Sequence, residues 1–273
     1  MVSAIIPTFK RPQLVLRAVR SVLAQTYPNM QAVVAVDGTD AETVDMLRAL
    51  NCDRLKVIET GKKQCPALTR LAAAHAADGE FLALLDDDDE WTPTKTQAQM
   101  DFIDRSGLQG DFIISCRFLI KASDGSGVPI LTPDALYTPE MDISEHLFDR
   151  RTPIARSGLI GSGTTLFPRS VVERVPFQDT SLHDDLAWIM DCVAGAKIPL
   201  HMIEEPGFIY WISPTTRCQT GDWQESLHMA RRYRAKDWIT ARAFAGLLST
   251  TTVSVRWWPP CEGEAGLVCS AAW

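Results

Sequence analysis

Leu84-Leu85-Asp86-Asp87-Asp88-Asp89-Glu90-Trp91 decides the reading of this chain, because an apolar segment runs straight into four consecutive aspartates. The preceding Phe81-Leu82-Ala83 is apolar too, so a buried strand ends in a cluster of carboxylates. Two like charges about 4 Å apart repel by roughly 4 kcal/mol at an effective dielectric near 20. A fold collects four of them at a strand end where water solvates them well or where a cation gathers them. Strand C-termini in open α/β sheets are where ligands bind. Mg²⁺-type cations prefer one or two carboxylates completed by phosphate oxygens. A metal- and ligand-binding edge is therefore the sharper reading, and a solvated acidic loop the plainer one.

Upstream of the run, strand and helix patterns alternate, the signature of a parallel sheet wrapped by helices. Val2–Pro7 reads as the first strand. Pro12 suits a helix start, and Leu14, Ala18, Val19, Val22 and Leu23 recur at helical spacing until Thr26-Tyr27-Pro28. Ala32-Val33-Val34-Ala35-Val36 is continuously apolar and predicts a strand buried on both faces. It runs into Asp37-Gly38-Thr39-Asp40, whose last residue can cap a helix over Glu42–Leu50. Leu55–Ile58 reads as a third strand and Ala67–Ala77 as an alanine-rich helix, with Asp78-Gly79 leading into Phe81–Leu85. Thr92-Pro93 predicts a capped helix to about Arg105.

Downstream the pattern loosens. Phe112–Ile120 predicts a strand and Ala122–Pro139 a loop; Ile143–Phe148, Arg169–Val175 and His183–Val193 predict helices. Ile198–Ile203 and Phe208–Trp211 predict two strands, and Trp223 to about Leu248 one amphipathic helix with basic residues Arg231, Arg232, Arg234 and Lys236. From Arg256 onward no periodicity is visible. There is no internal repeat.

The chain has 273 residues, 46% hydrophobic and 22% charged, ample for a substantial core. Its formal net charge of −7 argues against nucleic acid as the main partner. Met1–Pro7 is too short an apolar stretch for a leader, and no window is apolar over the length needed to cross a bilayer. The seven cysteines, at 52, 65, 116, 192, 218, 261 and 269, have no metal-ligand spacing and read as reduced thiols of a cytoplasmic protein.

Four segments fall at strand ends on one sheet edge: Pro7-Thr8-Phe9-Lys10-Arg11, Asp37-Gly38-Thr39-Asp40, the stretch around Arg70, and Asp86–Asp89. In order and spacing they resemble the family 2 glycosyltransferases of the GT-A fold. The family pattern reads approximately IIPTYNR, QTYPNxEIIVVDDGSTD and ARNxGxxxAxGEYIAFLDxDD. Here the stretches are IIPTFKR, QTYPNMQAVVAVDGTD and LTRLAAAHAADGEFLALLDDDDEW, within about the first 115 residues. The resemblance implies an α/β, Rossmann-like mixed sheet flanked by helices, with a less regular acceptor-binding C-terminal half. It implies a nucleotide-sugar-binding half over 1–115, an acceptor-binding half over 116–215 and a C-terminal extension over 216–273.

Residue by residue, the resemblance sets Pro7 and Thr8 in the nucleotide-binding block, with Thr8 and Asp37 beside the base. It sets Arg70 near the base or pyrophosphate, Asp86 and Asp87 by the ribose, and Asp88 on a divalent cation, Mn²⁺ or Mg²⁺. Lys10 and Arg11 are expected to make surface contacts. Leu182-His183-Asp184-Asp185-Leu186-Ala187-Trp188 resembles the family's GED-(W)DLW block, which makes Asp185 the general base and leaves Asp184 offsetting a helix dipole. The chain departs from the family at Val36, Leu71 and Ala73, which replace Asp, Asn and Gly, and at Ser213, which stands for the His of a Tyr-Arg-x-His block. His183 and His201 read as structural, and Trp211, Trp223 and Trp238 as core aromatics.

The expectation is a metal-dependent inverting glycosyltransferase with a nucleotide-sugar donor, a UDP-sugar by default, and an acceptor the sequence does not name. The alternative is a non-catalytic sugar-nucleotide-binding or scaffold protein of the same fold. A sugar-phosphate nucleotidyltransferase is disfavoured, because Pro7–Arg11 lacks the Gly-rich phosphate loop of that class. The basic stretch Arg231–Arg242 reads as a solvated helix face, with peripheral contact to an anionic membrane as its other reading.

Overall fold

The computed structural model describes residues 1–149, 159–178, 184–212 and 223–254. In chain order the first half runs β1 (Val2–Thr8), α1 (Pro12–Leu23), β2 (Met30–Val36), α2 (Ala41–Arg48), β3 (Leu55–Glu59), α3 (Pro66–Ala76), β4 (Phe81–Leu84), β5 (Glu90–Trp91) and α4 (Lys95–Ser106). The second half runs β6 (Ile113–Ala122), β7 (Ile130–Thr132), α5 (Ile143–Phe148), a 3₁₀ turn over Ser162–Thr164, β8 (Leu166–Pro168), α6 (Arg169–Arg174), α7 (Asp184–Met190) with a π turn over Asp191–Gly195, β9 (Leu200–Ile212), α8 (Trp223–Ala235) and α9 (Ala241–Ser254).

All described strands join one sheet in the order β3-β2-β1-β4-β8-β6-β9-β5, with β7 paired to β6. The first four are parallel, with Thr8 opposite Val36 and Ile5 opposite Leu84. β8 joins β4 antiparallel, and the sheet becomes mixed from there. This order brings the ends of β1, β2 and β4 to one edge, as the strand and helix alternation predicts.

Strand alternation divides the core in two. Ile5, Val33, Ala35, Leu82 and Leu84 face α3, α6, α7, α8 and α9, through Ala73, Val171, Trp188, Tyr233 and Leu247 among others. Ala4, Ile6, Ala32, Val34 and Ala83 face α1, α2 and α4, through Val15, Val19, Val22, Leu47 and Met100. β2 is buried on both faces, as its unbroken apolar run predicts. Asp40 caps α2 by accepting from the Thr43 amide at 3.3 Å.

The structure differs from expectation at four places, three of them in the second half. The two strands expected over 198–211 are one strand, β9, whose register against β6 slips between Cys116 and Phe118. Glu204-Glu205-Pro206-Gly207 breaks the apolar pattern there, and Pro206 and Gly207 sit in the irregularity, where such residues are tolerated. Thr92 does not cap α4; its amide donates to the Gly207 carbonyl at 2.9 Å and its hydroxyl to the Pro206 carbonyl at 3.1 Å. The single helix expected from Trp223 is broken into α8 and α9, with Asp237 in a left-handed turn at φ 55°. The expected loop at 122–139 carries β7, because Ile130–Thr132 extends the sheet beside Phe118–Ile120. His183, Ser213 and the tail beyond Arg256 lie outside the described residues, as do Cys218, Cys261 and Cys269. Cys52, Cys116 and Cys192 are free thiols.

Gly79 fixes how closely β1 and β4 approach. Its amide donates to the Ser3 hydroxyl at 2.9 Å. A Cβ at Gly79 would lie 2.6 Å from Ser3 Oγ, 2.8 Å from the Ser3 nitrogen and 2.9 Å from the Met1 carbonyl oxygen. Two of those atoms are backbone and cannot swing aside. Gly79→Ala is expected to cost roughly 1–3 kcal/mol, the usual range for overpacking, read as a lower urea midpoint with an unchanged slope.

Candidate active site

The acidic run leaves β4 and turns beneath the N-terminal end of α1, and its carboxylates alternate in depth. Asp87 and Asp89 are buried, whereas the side chains of Asp86 and Asp88 keep 31% and 30% of their surface exposed. Each is partnered, Asp87 and Asp88 sharing Arg11. Asp86 pairs with Arg70 of α3 and accepts from the Ser162 hydroxyl at 2.9 Å. Asp87 accepts from the Thr8 hydroxyl at 2.7 Å and from Arg11 at 3.0 Å. Asp88 accepts from the same Arg11 at 3.0 Å, while its carbonyl accepts from Arg17. Asp89 accepts from the Trp211 amide of β9 at 2.9 Å, and Glu90 pairs with Arg17 at 3.2 Å.

These environments set the charge. Burial, then the neighbouring Asp88, pushes Asp87 up to about 6 against the opposing pull of Arg11 and Thr8. Burial also raises Asp88 and, more strongly, Asp89.

Asp37 lies beside Thr8 across the β1 and β2 ends, its amide donating to the Thr8 carbonyl at 2.8 Å. Its carboxylate accepts from the Gln64 amide at 2.7 Å, so it fastens the loop that leads into α3. Pro7 is buried inside β1, opposite Ala35, and contributes by holding Thr8 at the edge.

Arg70 is buried and lies between two acidic groups, pairing with Asp86 on one side and Asp184 at the start of α7 on the other. Its two terminal nitrogens meet these two carboxylates. Asp184, expected merely to offset a helix dipole, is instead an ion-pair partner of Arg70. Asp185 follows it, with one carboxylate oxygen accepting from the Leu186 amide at 2.8 Å. Burial and the adjacent Asp184 push Asp185 up to about 7, although Arg70 pulls the other way.

The structure thus gathers Thr8, Asp37, Asp86, Asp87, Asp88 and Arg70 at one edge and reaches Asp185 through the Arg70–Asp184 pair. Arg11, Ser162 and Asp184 are members of the network that the pattern did not single out. Arg11, expected to make surface contacts, instead pairs with Asp87 and Asp88 at the end of β4. Ser162 carried one signal, the Gly161-Ser162-Gly163 run: a Cβ at Gly163 would come within 2.1 Å of the Phe208 ring, so the turn that delivers Ser162 requires glycine there.

Among the described residues, no group of three or more His, Cys, Asp or Glu side chains converges to hold a metal ion by itself. The donor set nevertheless suits a hard divalent cation. Asp88 offers a half-exposed carboxylate already faced by a cationic group, and Mg²⁺-type ions complete such a shell with water and phosphate oxygens. No described helix is long and apolar enough to cross a membrane.

The mixed α/β sheet flanked by helices is that of the GT-A fold. Residues 3–153 match Glycosyl transferase family 2, and the chain belongs to that family. It is 30% identical over 104 residues to UDP-Glc:alpha-D-GlcNAc-diphosphoundecaprenol beta-1,3-glucosyltransferase WfaP of Escherichia coli, covering 38% of this chain and 41% of that protein. The chain spans 35% and 41% of the length of two such relatives. S. aureus TarS in complex with UDP-GlcNAc shares the fold at TM-score 0.67 and 16% identity, over 93% of this chain and 72% of that one. Mannosyltransferase PcManGT from Pyrobaculum calidifontis, in complex with GDP-Man and Mn2+, shares it at TM-score 0.60 and 16% identity, over 93% and 73%.

Removing the Arg70 cation leaves carboxylates without their counter-charge in a buried place. Arg70→Met is expected to cost roughly 3–5 kcal/mol of stability above neutral pH. The loss should shrink below about pH 7, where Asp185 takes up a proton in the parent protein as well. Urea unfolding at one alkaline and one mildly acidic pH checks both the size and the direction.

Proposed function

We propose that this protein transfers a sugar from a nucleotide-activated donor, a UDP-sugar in the first instance, to an acceptor hydroxyl or amine, with inversion at the anomeric carbon. One observation carries the reading: a single buried guanidinium joins the acidic end of β4 to the carboxylate pair that opens α7. Inverting transfer needs a leaving diphosphate on one side of the sugar and a proton acceptor on the other, and these two acidic groups meet the need from two separate elements. Family membership supports the activity. UDP-GlcNAc in TarS and the donor in the name of WfaP support UDP as the nucleotide. That name also supports a saccharide acceptor in polysaccharide or glycolipid assembly, and the setting of the proposal is the cytoplasm or the periphery of a membrane.

In this reading Thr8 and Asp37 flank the base, with Pro7 fixing the strand end, and Asp86 and Asp87 lie by the ribose. Residues up to about 115 form the donor half, 116–215 the acceptor half, and 216–273 an extension. A divalent cation at Asp88, Mn²⁺ or Mg²⁺, would neutralise the leaving diphosphate as a Lewis acid; the Mn2+ in PcManGT supports this. Arg70 orients Asp86 and Asp184, and Asp185 takes the proton of the attacking acceptor.

Asp88→Asn is expected to abolish Mn²⁺-stimulated binding and hydrolysis of a UDP-sugar while leaving thermal unfolding intact. Donor affinity that still rises with Mn²⁺ in this variant would remove Asp88 from the cation site.

The base is tested by pH and by stereochemistry. Only ionised Asp185 can accept a proton, and its pKa is about 7. Activity is therefore expected to rise with pH and level off above neutrality. Asp185→Asn should lose roughly 10²- to 10⁴-fold in turnover and with it the acidic limb, at nearly unchanged donor affinity. Retained anomeric configuration by NMR, or a parent enzyme that binds donor without turnover, would overturn the reading.

A further inference from the structure

Arg11 holds an unusual place at this edge. It follows Lys10, whose backbone is left-handed at φ 52°, and it precedes Pro12 at the first position of α1. The backbone on both sides is thereby restricted, which aims Arg11 back across the end of β1. One terminal nitrogen reaches both Asp87 and Asp88 at 3.0 Å. Asp87 is buried and has a second partner in Thr8, so it serves as a fixed anchor for the guanidinium. The ion pair of Asp88 is with Arg11, a partner it shares, and its side chain is a third exposed. Arg11 is itself a third exposed and has room to withdraw into solvent.

We propose that Arg11 is a built-in counter-ion of the cation site: it neutralises Asp88 when no divalent cation is present, and cation binding displaces it from that carboxylate. The inference rests on the assignment of Asp88 as the cation's ligand. Arg11 is a positioning residue here and touches no reacting atom. Its charge opposes binding of a free cation, so the site loads weakly until further ligands, such as the oxygens of a diphosphate, add to Asp88. The arrangement keeps a strongly acidic edge from holding a cation tightly with no substrate present. It also explains why the acidic run tolerates a cationic neighbour that a purely metal-holding loop would exclude.

The test is a Mn²⁺ titration of the full chain without nucleotide, read as loss of the free-ion signal in electron paramagnetic resonance. Arg11→Ala is expected to tighten Mn²⁺ binding on the order of tenfold, between the small worth of an exposed charge pair and the larger one of a half-buried pair. Arg11→Gln is read the same way should the alanine variant unfold, and Arg11→Lys, which keeps the charge, should stay close to the parent. Arg54→Ala removes a charge at the opposite end of the sheet and should leave the affinity unchanged. Equal or weaker Mn²⁺ binding in folded Arg11→Ala or Arg11→Gln would overturn the proposal, as would an equal gain in Arg54→Ala. Asp88→Asn separates the two ideas. If it binds Mn²⁺ like the parent, the ligand assignment fails; if it loses Mn²⁺ while the Arg11 variants do not gain, only the counter-ion role fails.

Discussion

Five consecutive carboxylates at the end of one buried strand are the constraint around which the rest of this protein is arranged. Left unpaired they would repel at several kcal/mol per close pair. The fold answers by drawing partners from several elements: Arg70 from α3, Thr8 from β1, Arg11 and Arg17 from the α1 region, Ser162 from the 3₁₀ turn, and the Trp211 amide from β9. Elements far apart in sequence are thus tied to one edge by electrostatic need. The same edge is where the twist and order of an open α/β sheet leave a crevice for a ligand.

The alternation in depth along the run gives its members different work. Asp87 and Asp89 point inward, and burial raises their pKa values. Their hydrogen bonds to Thr8 and Trp211 fasten the run to β1 and β9. Asp86 and Asp88 point outward, with about a third of each side chain exposed. A sequence of four identical residues is therefore two structural pairs. The inward pair is fastened to neighbouring strands, and the outward pair keeps part of its surface open to solvent.

The parallel half was legible because each of its elements is decided locally. The unbroken apolar run of β2, the proline that opens α1 and the cap at Asp40 each point to one answer, and the strand ends then fall on one edge. The second half was less so because long-range pairing decides it. β9 runs through Glu204-Glu205-Pro206-Gly207, which local pattern marks as a break, because β6 pairs with it on both sides of the register slip. Lys95 looks like a surface residue at a helix start, yet it is buried, donating to Gln99 at 2.8 Å over the Trp91 ring. At the site, motif position marked Thr8, Asp37 and the acidic run. Which charges neutralise which could not be read from spacing, since Arg70 and Asp184 are 114 residues apart.

That long-range pair bears on the departures from the family pattern. Leu71 and Ala73 replace polar or flexible residues on α3, and both pack toward the core, Ala73 with no exposed surface. They seat α3 firmly against the sheet, which holds Arg70 at a fixed distance from the strand end. A guanidinium held in that way and shared between Asp86 and Asp184 makes the two acidic groups interdependent. Loss of either carboxylate would leave the buried cation with one counter-charge in place of two, so the start of α7 and the end of β4 are held together through Arg70.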